Sequence, residues 1–220
     1  MALNYNKIVD SFSHKLNCVI GCSTIDNLNE RERKYFETFM PIARTVIVLG
    51  HHVTKKSEWT WYATDDGNER CDADDHTSGL CCLLKEKIEL LGFSANIVPY
   101  PEESGLQFRY VAQSAGLGKI GKNAFLLHPD WGPWIHLRII ATEATFEMLS
   151  APFPESVCTE CGECIEACPA EAITDRLFEG LKCDCHNKLK GGYTPFGPEK
   201  ELVYCEICAQ VCPIGDKPEN

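Results

Sequence analysis

The sequence has little positive charge for its length. Its 220 residues carry 21 lysines and arginines against 32 aspartates and glutamates, which gives a formal net charge of -11 at pH 7. Acidic residues exceed basic ones by 4 in residues 1–150 and by 7 in residues 151–220. Binding to nucleic acid requires Lys and Arg side chains that neutralise phosphates, so we expect no nucleic-acid partner.

Long apolar segments are also missing. No run approaches the roughly 18 apolar residues of a membrane-spanning helix. The first residues, Met1 to Lys7, combine neither a basic region with an apolar stretch nor twin arginines. We therefore expect a cytoplasmic protein without a membrane partner.

Cysteine, in contrast, is abundant: the chain has 14, and nine of them fall in residues 151–220. They form two runs, Cys158-x2-Cys161-x2-Cys164-x3-Cys168-Pro169 and Cys205-x2-Cys208-x3-Cys212-Pro213. This spacing is typical of proteins with two 4Fe-4S clusters, in which the last cysteine of a run binds the other cluster. The predicted ligands of the first cluster are therefore Cys158, Cys161, Cys164 and Cys212.

The second predicted cluster takes Cys168, Cys205 and Cys208 and needs one more ligand, because the second run is a cysteine short. Cys183 and Cys185 lie between the runs, and by position either could supply the missing thiolate. Zinc is a weaker interpretation, since it favours two close pairs separated by a longer loop. Disulfides are disfavoured because cysteines two or three residues apart are poorly placed to pair with one another.

The composition changes near residues 150–154, where prolines precede the cysteine runs. We predict an α/β domain over residues 1–150 and a small ferredoxin-like domain over residues 151–220. Apolar periodicity in the first domain predicts strands over residues 44–50, 94–98, 124–128 and 134–142 and helices over residues 77–91 and around 106–111. The succession of strand, helix and strand indicates an α/β layer.

Gly116-Leu117-Gly118-Lys119-Ile120-Gly121-Lys122-Asn123 matches the letters of the dinucleotide fingerprint G-x-G-x-x-G. Its context differs, because that fingerprint follows a strand and opens a helix, whereas here a helix is predicted before the glycines and a strand after them. Either these glycines only turn the chain, or their backbone N–H groups and Lys122 approach a cofactor with phosphate or amide groups.

The glycine segment, the motif His128-Pro-Asp-Trp-Gly-Pro-Trp134, the strand Leu137-Arg-Ile-Ile-Ala-Thr142 and the double cysteine module together resemble the epoxyqueuosine reductase family and its relatives, the reductive dehalogenases. The resemblance covers residues 40–215. It implies a cobalamin-binding domain of the nitroreductase-like α+β sandwich type and electron flow through the clusters to cobalt. In the family pattern the cysteine between the runs follows a basic residue, which favours Cys183 over Cys185.

The resemblance also implies the residues of the cofactor site. The predicted cobalamin contacts are Gly116, Leu117, Gly118, Lys119, Gly121, Lys122, Asn123 and Gly132. Glu102 stands where epoxyqueuosine reductases have a proton-donating aspartate, and Tyr100 is near the place of the tyrosine that reductive dehalogenases use. A flavin in the same pocket is the alternative cofactor.

The chain also departs from the family pattern. It stops just after Cys212-Pro213, where epoxyqueuosine reductases continue into a helical extension that helps to grip tRNA. We therefore expect a low-potential reductase of a small molecule, supplied with electrons by a ferredoxin or flavodoxin. The alternative is a non-catalytic electron-transfer protein that activates another corrinoid or redox enzyme. A second copy of the chain is a further candidate partner.

Two histidine positions and the remaining cysteines are weaker candidates. Asp74-Asp75-His76-Thr77-Ser78-Gly79 satisfies D-x-H-x-x-G, a pattern that supplies a cobalt ligand in some cobalamin proteins, although a helix cap is the ordinary alternative. His51 and His52 follow the predicted central strand and either line a pocket or face solvent. Cys81 and Cys82 are expected in the core.

Overall fold

The computed structural model describes residues 3–4, 17–67, 69–147, 158, 161–190, 194–195 and 197–219. Within these ranges the strands are β1 (Leu3–Asn4), β2 (Cys18–Thr24), β3 (Thr45–His52), β4 (Trp61–Ala63), β5 (Glu69–Arg70), β6 (Ala95–Ile97), β7 (Lys119–Ile120), β8 (Leu126–Leu127), β9 (Ile135–Thr142), β10 (Phe146–Glu147) and β11 (Glu201–Leu202). The α-helices are α1 (Glu30–Phe39), α2 (Lys56–Trp59), α3 (Asp72–Leu90), α4 (Pro101–Ser104), α5 (Phe108–Ser114), α6 (Glu163–Glu166), α7 (Gly180–Leu189) and α8 (Ile207–Gln210).

The chain divides into two compact units. The sheet unit comprises Met1–His52, His76–Gly118 and His136–Glu155, and the cysteine unit comprises Val53–Asp75, Lys119–Ile135 and Ser156–Asn220. The predicted domain boundary near residue 150 stays a prediction, and the structure groups two earlier segments, 53–75 and 119–135, with the cysteine runs. Local composition gives no sign of this grouping, because it depends on contacts between distant parts of the chain.

A four-stranded sheet with the order β2-β3-β9-β6 forms the centre of the sheet unit. β2 is antiparallel to β3, and β6 is antiparallel to β9. Every residue of β3 except the last is buried, as expected of a strand that is covered on both faces. The predicted strands over residues 44–50 and 94–98 correspond to β3 and β6. These two strands are not neighbours in the sheet, because β9 lies between them.

Helix α3 packs on this sheet through apolar side chains at helical spacing, Leu80, Leu84 and Ile88. It begins at Asp72, earlier than the predicted start at Thr77, and Thr77 is buried within the helix. Three aspartates occupy its first turn, where negative charge interacts favourably with the helix dipole. The acidic segment therefore starts the helix instead of preceding it.

The cysteine unit contains two small sheets, β11-β4-β5 and β7-β8. Its core consists of Val53, Cys71, Ala73, Trp134 and Ala209, with Trp59, Trp61 and Phe125 packed against them. The strand predicted over residues 124–128 is limited to Leu126–Leu127, because Ala124 has a φ of 63°, which interrupts the extended backbone. In the ranges given above, none of the helices has the length and apolarity needed to cross a bilayer.

Candidate iron-sulfur site

The four cysteines predicted to bind the first cluster line one pocket of the cysteine unit, together with the last two residues of the glycine motif. They are Cys158, Cys161, Cys164 and Cys212. Burial raises the pKa of the Cys164 thiol, and the thiolates of Cys158, Cys161 and Cys212 raise this pKa further. Such mutual electrostatic effects arise between neighbouring sulfurs, so the structure brings the four predicted ligands together.

A second group forms around Cys208. Burial raises the pKa of the Cys208 thiol to about 12, and the thiolates of Cys205, Cys183 and Cys168 add to this effect. The pKa of Cys183 is likewise raised, first by burial and then by Cys205 and Cys168. Cys185, in contrast, is exposed. The structure therefore groups Cys183 with the three predicted ligands of the second cluster.

Asn187 connects helix α7 to the second cysteine run. Its side chain is buried, its Oδ1 accepts a hydrogen bond from the Cys205 N–H at 2.8 Å, and its Nδ2 donates to the Cys183 sulfur at 3.9 Å. Asn187 follows Cys183 by four positions, which puts both side chains on one side of the helix. Sequence reasoning missed this residue, although a polar side chain one turn after a predicted ligand was a usable signal.

The two groups suit clusters of several irons. A four-iron cubane binds one thiolate at each of four irons, so its ligands enclose a larger volume than the ligands of one ion. Two sets of four thiols match the donor chemistry of two such clusters.

Lys122, near the end of the glycine motif, lies at the pocket of the first cysteine group. Its Nζ is 2.7 Å from Asp175 Oδ1. The hydrogen bond to Asp175 raises the pKa of Lys122, and the thiolates of Cys158 and Cys161 contribute in the same direction. The ammonium group therefore stays charged beside these sulfurs.

Asn123 lines the same pocket and is almost fully buried. Its Nδ2 donates a hydrogen bond to the Cys208 carbonyl oxygen at 3.3 Å, so it connects the glycine motif to the second cysteine run. Gly121 packs closely beside it, because a Cβ there would lie 2.8 Å from Asn123 Oδ1 and 2.6 Å from Leu127 Cδ1. Lys122 and Asn123 thus have protein partners, and their predicted contacts with cobalamin stay predictions.

Gly132 lies in the turn formed by residues 129–133, where it has a φ of 56°. A Cβ at Gly132 would overlap the carbonyl oxygen of Ile214, and a Cβ at Gly215 would overlap the backbone nitrogen of Gly132. The turn therefore packs backbone to backbone against the chain that follows Cys212. This packing requires glycine at position 132 irrespective of a cofactor, and a cobalamin contact there stays a prediction.

The first part of the glycine motif belongs to the sheet unit. Gly116 has a φ of 80°, and Leu117 is buried against Gly21, where a Cβ would lie 3.0 Å from Leu117 Cδ2. Helix α5 precedes the motif, and strand β7 begins at Lys119. This order confirms that the motif lacks the strand and helix context of a dinucleotide fingerprint.

Tyr100 lies among aromatic and cationic side chains of the sheet unit. Its ring stacks on His136 at a centroid distance of 5.8 Å, and the Arg138 guanidinium carbon lies 4.8 Å from the ring centroid. His136 and Arg138 are two residues apart on β9 and therefore point to the same face of the sheet. Glu102 belongs to helix α4, but its side chain is outside the described part of the structure.

The histidine and cysteine candidates of the sheet unit have mixed outcomes. His51 is buried, and its ring lies 4.7 Å from that of His76, which is exposed near the start of α3. A cobalt contact of His76 stays a prediction. Cys81 is buried as expected, whereas the prediction for Cys82 is wrong because it is exposed. Consecutive helix positions differ by about 100°, so only one of the two faces the core.

Residues 151–174 match the family of 4Fe-4S binding domains. An epoxyqueuosine reductase of Staphylococcus aureus is 33% identical over 143 residues, which are 60% of this chain and 37% of the relative. An epoxyqueuosine reductase of Lactococcus garvieae is 27% identical over 203 residues, 87% of this chain and 57% of the relative. The chain therefore spans less than two thirds of the length of these relatives.

Solved structures share the fold. The epoxyqueuosine reductase of Bacillus subtilis, in a form whose catalytic aspartate loop is swung out of the active site, has a TM-score of 0.72 at 16% identity and covers 98% of this chain and 66% of its own. An epoxyqueuosine reductase with an epoxyqueuosine-modified tRNA stem loop has a TM-score of 0.71 at 17% identity, covering 94% and 64%. A reductive dehalogenase described for B12-dependent dehalogenation has a TM-score of 0.61 at 15% identity, covering 88% and 29%.

These neighbours define the class of fold to which the chain belongs. The chain has the mixed α/β fold, with a ferredoxin-like segment near its C-terminus, that epoxyqueuosine reductases and reductive dehalogenases share, and the predicted fold class is confirmed. The resemblance read from the sequence is confirmed as well, since the curated relatives are epoxyqueuosine reductases.

Proposed function

We propose that the chain is an iron-sulfur oxidoreductase in which two 4Fe-4S clusters supply electrons to a bound cobalamin, where a small molecule is reduced. The observation that carries this proposal is the division of eight cysteines into two groups of four. The first group lines a pocket that Lys122 and Asn123 also line. The segment expected to contact the cofactor thus continues directly into the first cluster site.

In this proposal the first cluster binds Cys158, Cys161, Cys164 and Cys212, and the second binds Cys168, Cys183, Cys205 and Cys208. The charged ammonium of Lys122 lies at the first site, paired with Asp175. Net charge near a cluster is one of the factors that set its reduction potential, and a nearby cation favours the more negative reduced form. Lys122 is therefore expected to make the first cluster easier to reduce.

A buried donor near the predicted cofactor segment fits an amide-bearing ligand. Trp134 is 2% exposed, and its indole Nε1–H has no hydrogen-bond partner among the described residues. A buried donor without an acceptor is unfavourable, and the corrin ring carries amide side chains whose oxygens accept hydrogen bonds. We assign Trp134 to one of these amides. When bound, cobalamin would supply a strongly reducing, nucleophilic cobalt centre.

Proton delivery is assigned to the Tyr100 phenol, with the Glu102 carboxyl as the second candidate. Arg138 lies over the Tyr100 ring. A neighbouring cation stabilises the negative charge that remains on the phenolate oxygen once the proton has left. The ring of His136, which stacks on that of Tyr100, restricts the orientation of the phenol.

The substrate and the electron donor belong to the same proposal. One structural neighbour is an epoxyqueuosine reductase with a tRNA stem loop. The net charge of -11 opposes approach of a polyanion, so we propose a small-molecule substrate and a ferredoxin or flavodoxin as donor. A tRNA stem loop that contains epoxyqueuosine, titrated into the reconstituted chain, is expected not to bind. Saturable binding that persists at about 150 mM salt would overturn this assignment.

The main test is anaerobic reconstitution with iron, sulfide and hydroxocobalamin, followed by gel filtration and metal analysis. About eight irons and one cobalt per chain are expected. Trp134→Phe, which preserves the aromatic core but lacks the donor, should retain the iron and bind hydroxocobalamin up to about tenfold more weakly. Eight irons without cobalt would leave a non-catalytic electron-transfer protein, and retention of added flavin instead would support the flavin alternative.

A further inference from the structure

Helix α7 has apolar side chains on its outer side. Leu181 is 83% exposed and Leu189 is 86% exposed, with the exposed Cys185 midway between them. Their spacing of four residues puts all three on one side of the helix. The other side carries Cys183 and Asn187, which face the second cysteine group. A soluble helix normally has the reverse arrangement, so the exposed leucines point to a surface that a partner covers.

Basic residues surround these leucines. Residues 176–190 contain four basic side chains and two acidic ones, a net charge of +2 in a C-terminal segment whose net charge is -7. Three of the basic residues, Lys182, Lys188 and Lys190, belong to α7 or directly follow it and are exposed. We call these lysines together with Leu181, Cys185 and Leu189 the α7 surface. An apolar centre with a basic rim is complementary to an acidic protein.

We propose that the α7 surface is the docking site of an acidic one-electron carrier of the ferredoxin class, and that electrons enter this chain at the second cluster. The inference rests on the proposed function, which provides that cluster. One electron leaves the carrier, which is oxidised, and reduces the cluster from the 2+ to the 1+ state without transfer of a proton. The thickness of α7, about 10 Å, separates the docked carrier from the Cys183 sulfur.

The arrangement of the two cysteine groups gives this transfer a direction. Helix α6, which contains Cys164 of the first group, contacts helix α8, which contains Cys208 of the second group, so the groups adjoin. The first group shares its pocket with Lys122 and Asn123, whereas α7 belongs to the second. An electron that enters at α7 therefore reaches the cofactor segment through the second cluster and then the first.

Binding, measured apart from turnover, tests the proposal. The reconstituted full chain is titrated anaerobically with an acidic two-cluster bacterial ferredoxin in a calorimeter. The double variant Leu181→Glu, Leu189→Glu should bind at least about tenfold more weakly, as expected when a central apolar contact is replaced by charge. Leu90→Glu is the matched control, since Leu90 is 87% exposed on α3, and it should bind as the wild type does.

A second pair of variants tests the basic rim. Lys188 pairs with Asp184 at 2.8 Å, and Lys34 pairs with Glu30 at 2.7 Å, both four residues apart on exposed helix surfaces. Lys188→Glu should slow association with the ferredoxin by about tenfold at low salt, and the difference should shrink as salt is added. Lys34→Glu, in the sheet unit, should leave the association rate unchanged.

The results separate failure of docking from failure of the proposed function. Iron analysis comes first, and a wild-type chain without about eight irons would contradict the proposed function itself. A chain with its iron that does not bind the ferredoxin, or binds it equally in all variants, would overturn the docking site. If the wild type dimerises and only the Leu181→Glu, Leu189→Glu variant is monomeric, a second copy covers α7 and the proposal fails.

Discussion

Replacing Cys183 should remove a cluster ligand, whereas replacing Cys185 should not. The two cysteines are two positions apart on α7 and therefore point to different sides of the helix. Cys183 is half-buried, affected by the thiolates of Cys205 and Cys168, and contacted by Asn187 Nδ2. Alanine at either position suits a helix and supplies no ligand atom. The pair of variants thus changes one sulfur at a time with a similar effect on the helix.

The expected magnitude follows from the ligand count. The wild type should contain about eight irons, and Cys183→Ala leaves three thiolates in the second group. Loss of that cluster gives about four irons, and survival of a three-iron cluster on the remaining cysteines gives about seven. Cys185→Ala should stay at about eight, because its side chain faces away from the group.

Iron and sulfide analysis gives the count, and electron paramagnetic resonance identifies the clusters. In the dithionite-reduced wild type, two adjoining paramagnetic clusters should give a spectrum broadened by their interaction. Cys183→Ala should give the narrower signal of one cluster, or a three-iron signal before reduction. Loss of iron from Cys185→Ala, with about eight irons in Cys183→Ala, would refute the grouping of cysteines that supports the proposed function.

Three other changes have defined outcomes. Gly132→Ala should lower the urea midpoint of the reconstituted chain far more than Gly67→Ala does, because a Cβ at Gly132 overlaps Ile214. A Cβ at Gly67 meets no atom, so Gly67→Ala bears only the positive-φ cost of about 1 kcal/mol. Equal decreases of the midpoint would contradict the packing argument. Tyr100→Phe should reduce turnover by about 100-fold or more while iron and cobalt contents remain unchanged, and full activity would exclude Tyr100 as proton donor. Burial raises the pKa of Cys71 from 9.0 to about 12, so its thiol stabilises the fold below about pH 9 and this contribution is lost as the pH rises towards 12. Urea midpoints at about pH 8 and about pH 10 should therefore differ more for the wild type than for Cys71→Ser, whose hydroxyl does not ionise, and equal differences would contradict the assignment.

The grouping of the cysteines, as distinct from their predicted binding of iron, could be predicted from the sequence to a large extent. The spacing of the two runs predicted seven ligands, and the structure brings all seven together in the predicted groups. A run of close cysteines is informative because its short loops fix which sulfurs can reach one cluster. The choice of Cys183 as the eighth predicted ligand required the family resemblance, since Cys183 and Cys185 are equivalent by spacing and differ only in the side of α7 on which they lie.

The contacts of the glycine motif could not be predicted in the same way. The cofactor contacts assigned to Lys122 and Asn123 stay predictions, but their protein partners, Asp175 and the Cys208 carbonyl, were not foreseen from the sequence. These partners lie 53 and 85 residues further along the chain, and no local pattern encodes such contacts. The fold class was predictable from strand and helix periodicity, but the order β2-β3-β9-β6 depends on equally distant pairings.

Gly132 illustrates why a glycine pattern alone does not identify a cofactor site. The absence of a Cβ is required when a cofactor approaches the backbone closely, and it is equally required when a second segment of the chain does so. At Gly132 the approaching atoms belong to Ile214 and Gly215, directly after Cys212 and Pro213. The turn at 129–133 therefore depends on a segment that directly follows Cys212, a predicted cluster ligand. Because Trp134 follows this turn, we expect assembly of the predicted first cluster and formation of the proposed cobalamin contact to be coupled through the backbone. This coupling does not require the cluster and the cobalamin to bind the same residues.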